Sequence, residues 1–150
     1  MKVFLVSLFL LHGCHLCIDV PKIFKRFKEE GQNIKLFPFL GSFLSWLSLI
    51  DYLICNQSPL VKSVLIHHSV SSDTSCVFLK SLERYLNVLL FSWSSVNQGI
   101  FNVEKNCFPI PYLLTPNKNV EIDSQGEQLK SLLEIDIIHR GLVNILGNLP

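Results

Sequence analysis

Alanine is absent from this 150-residue sequence, which contains 11 phenylalanines and is rich in leucine, serine and isoleucine. Alanine is normally among the commonest residues and is the best helix former, so helices here must depend on leucine, lysine and glutamate and on packing. A chain of this length is expected to form a single domain. The skewed composition is also what a translated reading frame without a selected function would show, and that alternative stays open.

Short motifs with known chemistry are also absent. The sequence has no GxxxxGK[ST], GxGxxG, HExxH or GxSxG pattern and no acidic calcium loop. The best-placed histidines are His67, His68 and His139, and a histidine on a helix is more often structural than catalytic. We therefore expect a protein that is not an enzyme, with no catalytic residue, no cofactor and no small-molecule substrate.

Charge of either sign is scarce. Charged residues make up 17% of the chain and the net charge is +1, so no strong field attracts nucleic acid. The basic run Lys22–Lys28, diluted by Glu29 and Glu30, is expected to be the solvated side of a short amphipathic helix. Hydrophobic residues make up 49% and the mean hydropathy is +0.37, which predicts a protein partner that covers apolar surface or, alternatively, membrane association.

Cysteine occurs five times at irregular spacing, unlike the even and dense sets of secreted disulfide-bonded domains. This count favours an intracellular location, with a secretory or membrane route as the alternative. The thiols are expected to act as small buried apolar groups.

A metal site is the other reading of the segment LLHGCHLC. The candidate donors lie within six residues and are His12, Cys14, His15 and Cys17. Zinc requires four donors arranged tetrahedrally, whereas consecutive helical residues advance by about 100° and scatter such donors over several faces. A second cysteine pair with suitable spacing is missing. We therefore expect no metal site, with these residues as weak candidates only.

Two apolar runs allow more than one interpretation. Residues 1–18 are predicted as an apolar first helix packed in the core. A cleaved leader is the alternative, because Lys2 supplies its basic start and an apolar run follows, although no small-x-small cleavage pattern is present. Spans near 3–18 and 36–55 are a further alternative, since the second run has one charge in 20 residues. Its polar residues recur every third position and favour a core helix with one polar side. They are Ser42, Ser45, Ser48 and Asp51.

Three more helices are predicted downstream. One follows the Ser58-Pro59 start signal to about residue 68, a strongly amphipathic one covers 73–93, and the last covers 124–149 after a capping box at Ser124. The proline- and asparagine-rich residues 94–123 are expected to be irregular, with a small β-hairpin as the alternative there.

Together these elements predict an all-α fold over residues 1–150, as a small helical bundle or a short α-solenoid-like array. Such an architecture, with its excess of apolar surface, favours a non-enzymatic protein–protein interaction or scaffold role. A small membrane-associated protein and a secreted protein with a cleaved leader are the alternatives.

Overall fold

The fold is mixed α/β. The computed structural model describes residues 2–57, 62–97, 107–115 and 129–149. Within these residues strands alternate with helices, and the strands form parallel sheets. The prediction of an all-α bundle or solenoid was therefore wrong: several short apolar runs that fit a helical spacing form buried strands instead.

The first βαβ unit occupies the N-terminal part of the chain. Strand β1 (Val3–Leu5) is followed by helix α1 (Val20–Glu29) and strand β2 (Ile34–Leu36). The two strands pair in parallel, with Val3 opposite Ile34. Parallel neighbours need a long crossover connection, and α1 supplies it.

Helix α1 confirms the amphipathic helix predicted from the basic run. Pro21 lies in its first turn, where a missing N–H removes no helical hydrogen bond. Ion pairs four residues apart link Lys25 to Glu29 at 3.7 Å and Arg26 to Glu30 at 2.9 Å along its exposed side. The basic residues therefore belong to the solvated face of a helix.

Helix α2 (Leu44–Cys55) confirms the core-helix interpretation of the second apolar run. Trp46 and Ile50 are fully buried, whereas Ser45 and Ser48 are exposed on the polar side. The three-residue periodicity of the serines therefore indicates the face that points to solvent.

Neither run forms the membrane span considered as an alternative. Residues 3–18 are divided among β1, a connecting segment and part of the π-helix His15–Asp19, so the apolar first helix was also wrong. Residues 36–55 contain the end of β2, a turn and the 12 residues of α2. Across the ranges that the structure describes, no helix combines the length and the apolarity needed to cross a bilayer.

The second sheet contains strands β3 (Lys62–His67), β4 (Leu89–Ser92) and β5 (Cys107–Pro111). Its order among the described strands is β4-β3-β5, and all pairings are parallel. Helix α3 (Asp73–Leu86) connects β3 to β4 and completes a second βαβ unit. This repeated alternation is what defines the α/β class.

Strand β3 lies where the sequence predicted a helix to residue 68. Val64, Leu65, Ile66 and His67 are buried in succession. A strand covered on both faces has a continuous apolar run, which periodicity cannot distinguish from a short buried helix. The Ser58-Pro59 start signal lies outside the described residues.

Helix α3 confirms the predicted amphipathic helix only to residue 86. Ser72 caps its start and accepts a hydrogen bond from the Ser75 amide at 3.1 Å. At its end Asn87 adopts a left-handed conformation (φ 50°), which turns the chain into β4. The leucine spacing continues past Asn87, but it is then carried by a strand and by helix α4 (Trp93–Asn97).

Strand β5 falls in the segment predicted as irregular. Pro109 and Pro111 are compatible with it because it lies at the edge of the described sheet. The Tyr112 amide donates to the Ile66 carbonyl at 2.7 Å, so the alternate nitrogens, at positions 109 and 111, face away from β3. The small β-hairpin considered as the alternative would have its turn at residues 116–119, which lie outside the described residues.

The C-terminal helix is shorter than predicted. A 3-10 turn at Leu132–Glu134 precedes helix α5 (Asp136–Gly147). The turn begins with a capping box in which Ser131 and Glu134 are hydrogen-bonded to each other. The capping box predicted at Ser124 lies outside the described residues.

Helices α2 and α5 pack side by side over the hydrophobic core. A Cβ atom at Gly141 would overlap the Leu49 side chain, so glycine allows the close approach of the two helices. The largest fully buried side chains are Trp46, Tyr112, Leu40, Ile50, Leu65, Ile66, Ile110, Leu132 and Ile138. All of them except Ile66 belong to the cluster that joins the helical layer to the three-stranded sheet, whereas Ile66 packs in a second cluster with Val64 and Trp93.

Candidate functional site

A cavity of about 360 Å³ is lined by segments that follow β1 of the two-stranded sheet and β3 and β5 of the three-stranded sheet. The lining residues are 8–13, 15 and 16 after β1, 68–70 after β3 and 112–114 after β5. In open parallel sheets, ligands bind in the crevice outside the carboxyl ends of the strands, because the connections diverge there. The cavity therefore occupies the position where α/β proteins hold their ligands.

Tyr112 forms part of the cavity wall and is almost completely buried. The Trp46 indole nitrogen donates to its phenolic oxygen at 3.3 Å. Burial raises the pKa of Tyr112 to about 12, only partly opposed by that hydrogen bond. The phenol is therefore neutral at physiological pH and adds no charge to a wall that is otherwise mostly apolar.

His12 is the half-buried histidine of the cavity. The edge of its ring meets Phe39, with the ring centroids 5.9 Å apart. The Cys17 thiol lies 3.7 Å from both ring nitrogens. An imidazole presents a donor and an acceptor when neutral, so His12 can hydrogen-bond a ligand within an apolar surrounding.

Two further histidines line the cavity at exposed positions, His15 and His68. The His15 ring stacks on Phe9 at 6.1 Å, and its Nδ1 is 2.6 Å from an Asp19 carboxylate oxygen. This pair fixes the ring at the rim of the cavity. Histidines therefore reach the cavity from the segments that follow β1 and β3.

His67, the neighbour of His68, is buried at the end of β3. Its Nδ1 donates to the His68 carbonyl at 2.6 Å, which identifies the protonated nitrogen of the neutral ring because a carbonyl can only accept. Burial lowers the pKa of His67, and the backbone hydrogen bond offsets this in part. His67 therefore shapes the chain at the cavity without lining it.

The predicted metal candidates are only partly brought together. His12 and His15 both line the cavity, Cys17 contacts His12, and Cys14 is exposed. Within the described ranges, no group of three or more histidine, cysteine or acidic side chains is placed to hold a metal ion. The expectation of buried thiols was wrong, since all five cysteines are unpaired and four of them are exposed.

Sequence reasoning singled out His68 without giving it a role, and it missed Tyr112. A signal existed, because His68 and Tyr112 directly follow β3 and β5, and His12 follows β1 by seven positions. Because residues 62–67 were predicted as a helix, the predicted fold contained no sheet at whose edge these residues could meet.

The fold resembles a solved structure, described as SirB from Bacillus subtilis with Fe³⁺. The TM-score is 0.58 and the sequence identity is 14%, with 97% of this chain and 60% of that chain covered. This chain therefore spans about three fifths of the SirB chain. Comparison with protein families finds no match, and comparison with curated proteins finds none either. At this identity the likeness establishes the α/β fold.

Proposed function

We propose that this chain is a binding protein, without a catalytic step of its own, for a largely apolar small molecule that occupies the cavity. The observation that carries the proposal is a mostly apolar cavity at the carboxyl ends of β1, β3 and β5. Its volume of about 360 Å³ lies within the roughly 300–1,000 Å³ of small-molecule pockets. No small-molecule ligand is expected from the sequence, and the cavity is the reason to propose one.

The wall chemistry defines the class of ligand. Apolar side chains and the neutral Tyr112 ring would surround its body. His12, inside the cavity, and His15, at its rim, would contact its polar groups. Since isolated charges are costly to bury, the buried part of the ligand is expected to be neutral.

The SirB description includes Fe³⁺, so the fit of a metal ion to this cavity needs a test. A closed protein site requires at least three or four well-placed donors. The part of the chain that the structure describes offers no such group, and His12 and Cys17 together supply only two donors, fewer than a closed site needs. These residues do not fit a self-contained metal site, and we propose none.

Binding of 1-anilinonaphthalene-8-sulfonate, a fluorescent probe whose apolar rings can enter the cavity while its charged sulfonate stays at the rim, tests the cavity. A Cβ atom at Gly13, which lines the cavity, or at the exposed Gly147 meets no atom within 4 Å, so the two positions form a matched pair. We expect saturable binding by the wild type and by Gly147→Phe. Gly13→Phe should weaken it at least roughly tenfold, because its ring takes up cavity space.

Histidine NMR signals complete the test. Binding of the probe should shift the His12 ring signals. Fe³⁺ added without the probe should cause no change that indicates coordination by His12. Equal probe binding by all three proteins, with no histidine shift, would contradict the cavity proposal.

A protein–protein interaction role is the second candidate, favoured by apolar side chains exposed on helices. Leu44 on α2 and Val143 on α5 are 69% and 60% exposed, and the two helices pack against each other. Single exposed apolar residues are common, but exposed apolar side chains on two helices that pack together favour a surface that a partner can cover. The partner would be a protein that presents apolar side chains of its own.

Sedimentation velocity tests this second candidate. An apolar surface without its partner associates with itself, so we expect concentration-dependent association of the purified chain. Val143→Lys should reduce it, and Asn144→Lys on the same helix should not, because Asn144 is already polar and exposed. A chain that stays monomeric at every concentration would argue against a surface that needs covering.

A further inference from the structure

Helix α3 contacts the segment that carries His12 through a buried hydroxyl. Ser75, in the first turn of α3, is 2% exposed, and its Oγ donates a short hydrogen bond to the His12 backbone carbonyl. The two residues are 63 positions apart in the sequence. This contact therefore joins the two βαβ units at the cavity.

The donors and acceptors around Ser75 can be assigned completely. A carbonyl only accepts, so the Ser75 hydroxyl donates its proton to His12. The Ser72 hydroxyl, 2.6 Å away, must then donate to Ser75 Oγ, while Ser72 Oγ accepts from the Ser75 amide at 3.1 Å. Ser75 is thus itself held in place by the cap of α3.

A second path from α3 reaches the ring of the same histidine. Phe78 packs against Phe39 with ring centroids 5.2 Å apart, and Phe39 meets the His12 ring at 5.9 Å. Residues three apart share a helix face, which places Ser75 and Phe78 on the same side of α3. The helix therefore contacts both the backbone and, through Phe39, the imidazole of His12.

The segment before His12 is held from another direction. The Leu40 amide donates to the Ser7 carbonyl at 2.9 Å, and the Gly41 amide donates to the Phe9 carbonyl at 3.0 Å. Without Ser75, the chain would be fixed up to residue 9, but the His12 backbone would lose its hydrogen bond to α3 and only the ring contact with Cys17 would remain on the polar side.

We infer that Ser75 is a positioning residue that sets the orientation of the His12 imidazole in the cavity. The inference rests on the proposed function for its consequence in binding. The geometry itself concerns the protein without any ligand. A purely structural alternative is that Ser75 only stabilises the start of α3, as Ser72 does.

Ser75→Ala and Ser72→Ala form the decisive pair. Both remove one hydroxyl from the same helix start, but only Ser75 touches His12. In the ligand-free protein, Ser75→Ala should shift and broaden the His12 ring signals in NMR. Ser72→Ala keeps the hydroxyl that bonds His12 and should shift them less, and Ser81→Ala, further along α3, should leave them at their wild-type positions. If the imidazole keeps its binding orientation in only about a tenth to a third of the molecules, the affinity of Ser75→Ala for 1-anilinonaphthalene-8-sulfonate falls roughly 3- to 10-fold.

Two more variants keep the inference falsifiable. Ser75→Thr retains the hydroxyl and should restore the His12 signals. If Ser75→Ala does not fold, Phe78→Leu, which removes a ring at a half-buried position, should disturb the His12 ring in the same way. Unchanged His12 signals in folded Ser75→Ala or in Phe78→Leu would overturn the inference.

The two proposals fail separately. If the wild type does not bind the probe, the proposed function fails, while the His12 signals of the ligand-free variants still test the positioning role. If the probe binds, but its affinity and the His12 signals are the same in Ser75→Ala as in the wild type, only the positioning role fails.

Discussion

Gly41 lies so close to Leu10 that a Cβ atom at position 41 would overlap the Leu10 carbonyl oxygen. Both residues are buried, and the Gly41 amide donates to the neighbouring Phe9 carbonyl. The side chain must therefore be absent for the cavity-lining segment to run beside the turn before α2.

Gly41→Ala is expected to destabilise the protein by about 1–3 kcal/mol, because the atom it meets is backbone and cannot rotate away. Urea denaturation measures the loss. Gly13→Ala is the control, since an added Cβ there meets nothing within 4 Å. Equal stability of the two variants would show that the segment after β1 shifts to accommodate the added methyl group at little cost in free energy.

Tyr112 should make stability fall at alkaline pH. Its folded pKa of about 12 lies above the ordinary value of 10.0, so the folded state keeps a proton that the unfolded state loses between these values. The stabilisation is complete below pH 10 and declines by about 2–3 kcal/mol as pH rises to 12. Tyr112→Phe should remove this decline and also the absorbance change near 295 nm centred at about pH 12.

The same substitution removes the acceptor of the Trp46 indole. At neutral pH it should therefore cost about 1 kcal/mol, as expected for one buried hydrogen bond. Tyr85→Phe, at an exposed position, is the matched control and should leave the neutral-pH stability unchanged. A variant as stable as the wild type would show that the Trp46–Tyr112 bond contributes nothing.

His67 should make stability fall at mildly acidic pH. Burial lowers its folded pKa below 6.5, so on acidification the unfolded state takes up a proton first. Stability is therefore highest above pH 6.5 and decreases from there down to the folded pKa. His67→Asn, whose amide can replace the Nδ1 donor, should flatten this decrease in thermal melts between pH 7 and pH 5.

The exposed His139→Asn variant is the comparison for that experiment. It removes one imidazole without touching the end of β3. A pH profile of His67→Asn that coincides with the wild-type profile would mean that other groups cause the acid sensitivity.

Asn87 is the residue that ends α3, and its left-handed backbone predicts an ordered series of variants. Asn87→Gly should be neutral or slightly stabilising, because glycine adopts this conformation freely. Asn87→Val should cost about 1–2 kcal/mol, since a branched side chain is strained there. Chemical denaturation of both variants provides the test, and equal midpoints would argue against a strained helix end.

The sequence predicts an element of the fold when its residue pattern alone distinguishes a helix from a strand. Helices α1, α2 and α3 have such a pattern, because their polar and apolar residues separate onto different faces over at least 10 residues. The end of α3 cannot be predicted in this way. Its leucine spacing continues beyond Asn87, and only the backbone angle shows that the helix has stopped.

Strands β1 and β3 are the elements whose type the sequence leaves ambiguous. A three-residue strand such as Val3–Leu5 has too few positions to show any period. Val64, Leu65 and Ile66 of β3 are buried in succession with no polar residue between them, and β3 pairs with strands that lie far along the chain, β4 and β5.

The candidate site could be predicted only in part for the same reason. His12 and His15 stand out as donors by their spacing, whereas His68 and Tyr112 join them through the parallel sheet. Once the strands are known, the carboxyl-end rule leads to the cavity directly.

The two prolines of β5 have a consequence for how the chain behaves among its own copies. Their nitrogens point away from β3 and carry no hydrogen, so neither position can donate a hydrogen bond to a further strand at this border of the described sheet. Borders of this kind resist the edge-to-edge growth that leads to fibrils. Replacing Pro109 and Pro111 with threonine would give the border its donors back and make the chain more prone to templated aggregation.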